Sequence, residues 1–157
     1  MGDFVRDLLD MIALELDKVE QFQDALAKEA YLQSAVLLPF CVLEAYVNKL
    51  ADDVASRQEL SPRERALLER NARLDDRIAF LHERSSGRPI DKTVSWWPAF
   101  KAALDLRNRL NEPQAAPALT VPVVKAAIKA VIDTIDALSR DIYKGPLSAA
   151  GLGSAGQ

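Results

Sequence analysis

Apolar residues recur at steps of three and four along most of the chain, the spacing of one face of an α-helix. This pattern predicts helices from Asp3 to about Ala27, from about Glu29 to Ala55, and from Thr120 to about Tyr143. The first stripe consists of Val5, Leu8, Ile12, Leu16, Val19, Phe22 and Leu26. Four of the six glycines lie at or after residue 145, so few turn residues interrupt the interior. The sequence therefore predicts an all-α protein.

Prolines and capping residues mark several of the expected helix boundaries. Pro39 removes the hydrogen bond to the carbonyl of Ala35, which predicts a kink or a break near Leu38. The segment Ser61-Pro62-Arg63-Glu64 has the pattern of a capping box with proline at the first helical position. A short helix is expected to begin there.

Between the second and the last long helices, the sequence predicts an arginine-rich connection followed by a further helix. A helical segment from Leu74 to about His82 is followed by the break Ser85-Ser86-Gly87-Arg88-Pro89, and its alternating charges favour a solvated face. Ser95 is expected to cap a helix that passes through Phe100 to Leu110 and is ended by Pro113 and Pro117.

Composition narrows the class of protein. With 157 residues, of which 49% are hydrophobic and 27% charged, the chain can form one core, predicted over residues 1–144, followed by a flexible tail at 145–157. The net charge of −3 provides no global positive field for nucleic acid, although a local arginine patch could still bind it.

Localisation is predicted from the same composition. The single Cys41 cannot form an intrachain disulfide and is expected in the core, in a reducing cytoplasm. Acidic residues in the first turns argue against a secretory signal. The uncharged stretch Ala30–Leu43 is too short to span a bilayer, so no membrane segment is expected.

The helix that ends near Pro113 carries the candidate chemistry. Steps of three and four place Arg107 on or beside its core-facing stripe, where a charge needs a partner. Glu44 and Asn48 are four residues apart on one face of the second helix, and Glu44 is expected near Arg107 or Asn108. Two interpretations remain open. Arg107 and Glu44 could form an ion pair that fixes the alignment of two helices, or Arg107 could bind phosphate while Glu44 and Asn48 hold its guanidinium in place.

Two segments carry a resemblance to a known superfamily. Leu106-Arg107-Asn108-x-Leu110-x-x-Pro113 resembles the signature segment of the HEPN (higher eukaryotes and prokaryotes nucleotide-binding) superfamily. Phe40-x-x-Leu43-Glu44-Ala45-Tyr46-Val47-Asn48 is similar to the second helix of one HEPN group, and a helix bearing Trp and Phe precedes the Arg-Asn pair in both. The resemblance extends from about Leu32 to Pro113.

The resemblance implies an antiparallel bundle of four to five main helices with short connecting helices, usually a homodimer in which Arg-x(4–6)-His motifs of both subunits meet. Many members cut RNA without metal, and many serve as toxins or in antiviral defence, so an antitoxin-type protein partner is possible; others only bind nucleotides. In the cleaving members, histidine acts as general acid or base and arginine stabilises charge on the phosphate.

This chain departs from that pattern where the histidine would stand. Counted from Arg107, the positions are Glu112, Pro113 and Gln114; counted from Arg109, they are Gln114, Ala115 and Ala116. Glu112 could accept a proton, but its charge would repel phosphate, and as an acid at a helix C-terminus it is expected to pair with Arg107 or Arg109 of the partner subunit.

Three functions follow from these residues. The favoured one is a HEPN-like homodimer without catalysis that binds RNA or nucleotide through Arg107, Asn108 and Arg109, or binds a protein partner. The second is a metal-independent endoribonuclease that uses Arg107 and Glu112, and the third is a helical dimerisation module without a ligand. No metal or cofactor is expected, since the chain has one Cys, one His and no Gly-rich phosphate loop, and His82 is interpreted as structural.

Overall fold

The computed structural model describes residues 2–112 and 118–143, with side chains over 6–112 and 118–142. Within these ranges the chain forms six α-helices and no strand, which confirms the prediction of an all-α protein. The helices are α1 (Gly2–Glu15), α2 (Ala25–Arg57), α3 (Pro62–Leu68), α4 (Leu74–Ser86), α5 (Trp96–Leu110) and α6 (Val121–Tyr143).

The first predicted helix is interrupted before the second begins. After Glu15 the chain continues as a 3₁₀ helix, Leu16–Gln21, and Phe22 is extended. Asp24 then caps α2, since its Oδ1 accepts hydrogen bonds from the backbone N–H groups of Leu26 at 2.9 Å and Ala27 at 3.4 Å. The cap at Asp24 starts a new helix although the apolar spacing continues across the junction. Phe22 and Leu26, the last two residues of the predicted stripe, are 42% and 77% exposed and do not belong to the buried face.

The second helix is longer and more continuous than Pro39 suggested. α2 extends over 33 residues and contains the buried Pro39, so the helix does not break near Leu38, and the alternative of a kink there stays a prediction. Cys41, expected in the core, is exposed. By length and composition α2 could cross a membrane, a test that core helices of soluble proteins also pass, and 44% of its apolar window is buried. The expected absence of a membrane segment stays a prediction.

Local capping chemistry fixes the shorter helices. The capping box is confirmed, because Ser61 Oγ accepts from the Glu64 backbone N–H at 3.3 Å and Glu64 Oε2 accepts from that of Ser61 at 2.8 Å. α4 continues beyond His82 to Ser86 and is followed by the C-cap Gly87, whose φ of 72° is left-handed. Ser95 precedes α5 without a side-chain cap bond. Pro113, Pro117 and the tail 145–157 lie outside the described residues.

The contacts divide the chain into two compact units, each with its own core. The first comprises Met1–Leu43 and Thr93–Thr134, and the second comprises Glu44–Lys92 and Ile135–Gln157. Large apolar side chains are buried in the first unit, among them Leu16, Phe40, Leu43, Phe100 and Ile128. In the second unit they include Val47, Leu50, Ile78, Leu81 and Leu138.

Candidate functional site

The end of α5 carries the predicted phosphate-binding residues. α5 is anchored by an apolar face that consists of Trp97, Phe100, Ala103, Leu104 and Leu106, all buried. Trp97 and Phe100 pack with their ring centroids 5.6 Å apart. Arg107 follows this face and is half-buried, whereas Asn108 and Arg109 are exposed. The apolar face thus fixes the helix, and the polar residues of its last turn face solvent wholly or in part.

A hydrogen bond between neighbouring side chains links two of these residues. Arg107 Nη1 donates to Asn108 Oδ1 at 3.2 Å. The bond uses the acceptor of the Asn108 amide and leaves its N–H groups as donors to solvent or to a ligand. Guanidinium and amide donors are the groups that bind phosphate oxygens, so this pair forms a donor-rich surface at the end of α5.

The second arginine of this turn is partly neutralised. Arg109 Nε lies 3.2 Å from Asp105 Oδ2, one turn earlier on α5, and the two side chains are 48% and 70% exposed. Exposed pairs at this spacing contribute only about 0.3–0.5 kcal/mol, so Arg109 can exchange Asp105 for another anion at little cost. Arginines in the last turn also oppose the partial negative charge of the helix C-terminus.

Glu112 lies just beyond α5 and is exposed. Its backbone N–H donates to the carbonyl of Arg109 at 3.1 Å, which continues the last turn by a tighter bond. Together, Asp105 and Glu112 balance the formal charges of Arg107 and Arg109. The expected contact of Glu112 with a partner subunit stays a prediction, and Pro113 and Gln114 lie outside the described residues.

Glu44 and Asn48 belong to the second unit, whereas Arg107 belongs to the first. The described partner of Asn48 is Arg77 on α4, whose Nη2 donates to Asn48 Oδ1 at 2.5 Å. The expectation that Glu44 and Asn48 hold Arg107 stays a prediction. The structure adds an arginine that the sequence analysis did not select.

Arg77 is only 3% exposed, and its Nε has no hydrogen-bond partner among the described residues. Burial lowers the pKa of its guanidinium below the usual value, an effect that the positive charge of Arg70 reinforces. The carboxylates of Glu44 and Asp52 act in the opposite direction. Arg77 is therefore a buried cation supported by Asn48 and by nearby carboxylates.

The predicted solvated face of the arginine-rich connection is wrong for three of its residues. Asp75, Arg77 and His82 are 6%, 3% and 8% exposed. These residues lie on the same helix face as Leu74, Ile78 and Leu81. The apolar spacing of α4 therefore predicts their burial, although the alternating charges suggested a solvated face.

His82 lies in a cluster that contains the three residue types of a hydrolytic triad. Its Nε2 is 3.2 Å from Asp141 Oδ2, and its Nδ1 is 3.4 Å from Ser86 Oγ and 3.0 Å from the carbonyl of Arg88. A triad needs a ring nitrogen that accepts the serine proton. Here Nδ1 is closer to a carbonyl, which can only accept, and Ser86 donates to that carbonyl at 3.1 Å. This arrangement supports the interpretation of His82 as structural.

The second unit also contains an open groove of about 440 Å³, lined by Glu64, Phe80, Glu83, Arg84 and Gly87. Arg84 Nη1 lies 3.8 Å from Glu64 Oε1, and its Nη2 donates to the carbonyl of Glu59 at 3.2 Å. The backbone N–H of Ser61 lowers the pKa of Glu64 below its usual value. The charged groups here thus hold the local structure together.

Over residues 2–112 and 118–143, no three Cys, His, Asp or Glu side chains come together as a metal site. Comparisons with family models, with curated proteins and with solved structures found no match to this chain.

Proposed function

We propose that this chain is a HEPN-like protein that binds RNA or nucleotide phosphate through Arg107, Asn108 and Arg109, and that it does not cleave its ligand. The observation that carries the proposal is the Arg107–Asn108 hydrogen bond beside the exposed Arg109, which gathers guanidinium and amide donors on one helical turn. The resemblance of Leu106–Pro113 to the HEPN signature supports the choice of phosphate as the ligand.

Binding is favoured over cleavage because of Glu112. Transfer of a proton to the leaving oxygen of RNA requires a group that carries a proton at neutral pH. In place of an imidazole, Glu112 puts an exposed carboxylate at this position. The position that resembles the HEPN histidine therefore supplies a negative charge and no proton donor.

The proposed interaction is electrostatic and modest in strength. The end of α5 carries two cations, Arg107 and Arg109, and two anions, Asp105 and Glu112, and the C-terminus of a helix itself disfavours anions. Phosphate binding must therefore come from the arginine side chains, and its affinity should fall as the salt concentration rises.

Fluorescence anisotropy with a labelled single-stranded RNA in EDTA tests this proposal. Arg107→Ala and Arg109→Ala should each weaken binding by about five- to tenfold, the effect of removing one charged hydrogen-bonding group. Arg63→Ala, at an exposed arginine on α3, is the matched control and should leave the affinity unchanged. Equal affinities for the wild type and the two α5 variants would overturn the proposal.

Glu112→Gln provides a test with the opposite sign. This substitution removes a negative charge beside the arginines and should tighten RNA binding by about two- to fivefold at low salt, with the gain shrinking as salt is added. Weaker binding by Glu112→Gln would instead indicate that the carboxylate serves the ligand.

The balanced charge of this turn also supports an alternative candidate, a helical module that binds protein and not RNA. In that case Glu112 would pair with Arg107 or Arg109 of the partner subunit in a homodimer, or the turn would dock an antitoxin-type protein. RNA affinity would then be absent, and Glu112→Gln would weaken self-association measured by light scattering.

A further inference from the structure

His82 faces two hydrogen-bond acceptors with its two ring nitrogens. Nδ1 lies 3.0 Å from the carbonyl of Arg88, in the loop after α4, and Nε2 lies 3.2 Å from Asp141 Oδ2, in the last turns of α6. A carbonyl has no proton to give, and neither has an ionised carboxylate. Ser86 Oγ lies 3.4 Å from Nδ1 and has one hydroxyl proton, which it donates to the Arg88 carbonyl at 3.1 Å, so both ring contacts are hydrogen bonds at the same time only when both ring nitrogens carry a proton.

A neutral imidazole has only one N–H group, so it can satisfy one of these acceptors and must turn a lone pair toward the other. The imidazolium has two and satisfies both. The His82 side chain is 10% exposed, so water has little access to its ring nitrogens. The number of protons on the His82 ring therefore decides whether one or both of its hydrogen bonds, to the Arg88 carbonyl and to Asp141, can form.

The surrounding charges are compatible with a cationic ring. Asp141 is the carboxylate in contact, and its other oxygen, Oδ1, lies 3.6 Å from Nε of Arg140 on the same helix. On α4 the neighbouring Glu83 is exposed, and the loop contributes Arg88 through its backbone carbonyl. Ser86 donates to the same carbonyl at 3.1 Å, which leaves Nδ1 as its second donor.

We propose that His82, Asp141 and the Arg88 carbonyl form a proton-dependent clasp that fastens the last turns of α6 to α4 and to the loop after it. The doubly protonated ring closes both bonds. Loss of one proton opens one of them, so the end of α6 is held more firmly in mildly acidic solution than in mildly basic solution. Histidine is the side chain suited to such a change near neutral pH.

Hydrogen exchange and nitrogen NMR on the full chain test the clasp. In the wild type, both ring nitrogens of His82 should show the ¹⁵N shifts of protonated nitrogen at pH 6. Protection factors of the amides from Leu138 to Ile142, corrected for intrinsic exchange, should fall on the order of tenfold between pH 6 and pH 8, the effect of one charged hydrogen bond. Protection of the α2 amides around Val47 is the internal control and should not change.

Asp141→Asn provides the sharper variant. An asparagine amide can donate to the Nε2 lone pair while Nδ1–H still bonds to the Arg88 carbonyl, so the neutral ring becomes the satisfied form. The pH dependence of α6 protection should therefore vanish or reverse, an outcome that lost packing alone would not produce.

The proposal would be overturned by a singly protonated His82 ring in the wild type at pH 6. It would also be overturned if the wild type and Asp141→Asn showed the same pH profile of α6 protection. The wild-type NMR spectrum decides the matter even if the variant fails to fold.

Discussion

Asn48 accepts a hydrogen bond from a guanidinium that is almost completely buried. Its side-chain oxygen is the described acceptor for Arg77, whose Nε has no partner among the described residues. A buried charge that loses an acceptor keeps its desolvation cost and gains nothing in return. The contribution of Asn48 should therefore exceed that of an ordinary hydrogen bond.

Asn48→Ala is expected to reduce the free energy of unfolding by about 2–3 kcal/mol, because it leaves the Arg77 guanidinium without this acceptor. Urea denaturation followed by circular dichroism measures the loss. The neighbouring Lys49 is exposed, and Lys49→Ala should change stability by less than about 0.5 kcal/mol. Equal effects of the two substitutions would contradict the importance of the Asn48–Arg77 bond.

Arg77 and Glu112 differ in how much the sequence could reveal. Glu112 can be identified from the sequence alone, because four residues separate it from Arg107, as four to six separate the arginine and histidine of an Arg-x(4–6)-His motif. The burial of Arg77 follows from its place in the apolar spacing of α4, but its bond to Asn48 depends on how α2 and α4 pack. A partner on another helix is not encoded in local spacing.

Helix ends are predictable where the signal lies within one turn. Ser61, Pro62 and Glu64 form the expected capping box because all the bonds are local. The boundary before α2 was missed, since the buried positions of the 3₁₀ helix, Leu16 and Val19, keep the spacing of an uninterrupted α-helix. Apolar spacing detects the buried face but does not detect a change of helix type.

Gly87 ends α4 with φ at 72°, a region that side chains with a Cβ rarely adopt. A Cβ added here would meet no atom within 4 Å, so the cost of substitution is backbone strain alone. Gly87→Ala should therefore lower the free energy of unfolding by about 1 kcal/mol and Gly87→Asn by less, since asparagine tolerates this region. Equal stability of the wild type and Gly87→Ala by urea denaturation would contradict this account.

The capping box of α3 should respond to acid. Hydrogen bonding to Ser61 lowers the pKa of Glu64, so the folded state holds its carboxylate ionised to lower pH than the unfolded state does. The stabilisation is complete above the ordinary glutamate value, near about 4.3, and is lost as the pH falls through the depressed value.

Glu64→Gln should flatten the decline of stability in this acidic range, because glutamine keeps the acceptor oxygen but does not titrate. Thermal melts of both proteins at a series of pH values measure the difference. The exposed Glu69 offers a control, since Glu69→Gln should keep the wild-type slope. A Glu64→Gln profile parallel to that of the wild type would contradict the assignment.

For the whole molecule, the all-α class follows from periodicity, whereas the grouping of helices does not. The contacts place α5 and its candidate site in one compact unit and the Asn48–Arg77 pair in another, and α2 contributes residues to both. Periodicity predicts which face of a helix is buried, but it carries no information about which helix covers that face. For the same reason, the spacing of apolar residues does not predict whether or how subunits assemble.

We propose that the end of α5 binds RNA and that Glu112, in place of a histidine, prevents cleavage. Incubation of end-labelled single-stranded RNA with the wild type, Arg107→Ala and Glu112→His in EDTA, followed by gel electrophoresis and anisotropy, tests it most directly. The wild type should bind RNA and leave it intact, Arg107→Ala should bind more weakly, and Glu112→His, which restores an Arg-x(4)-His motif, should cleave. Arg107-dependent cleavage by the wild type, or no RNA binding by any of the three, would contradict the account.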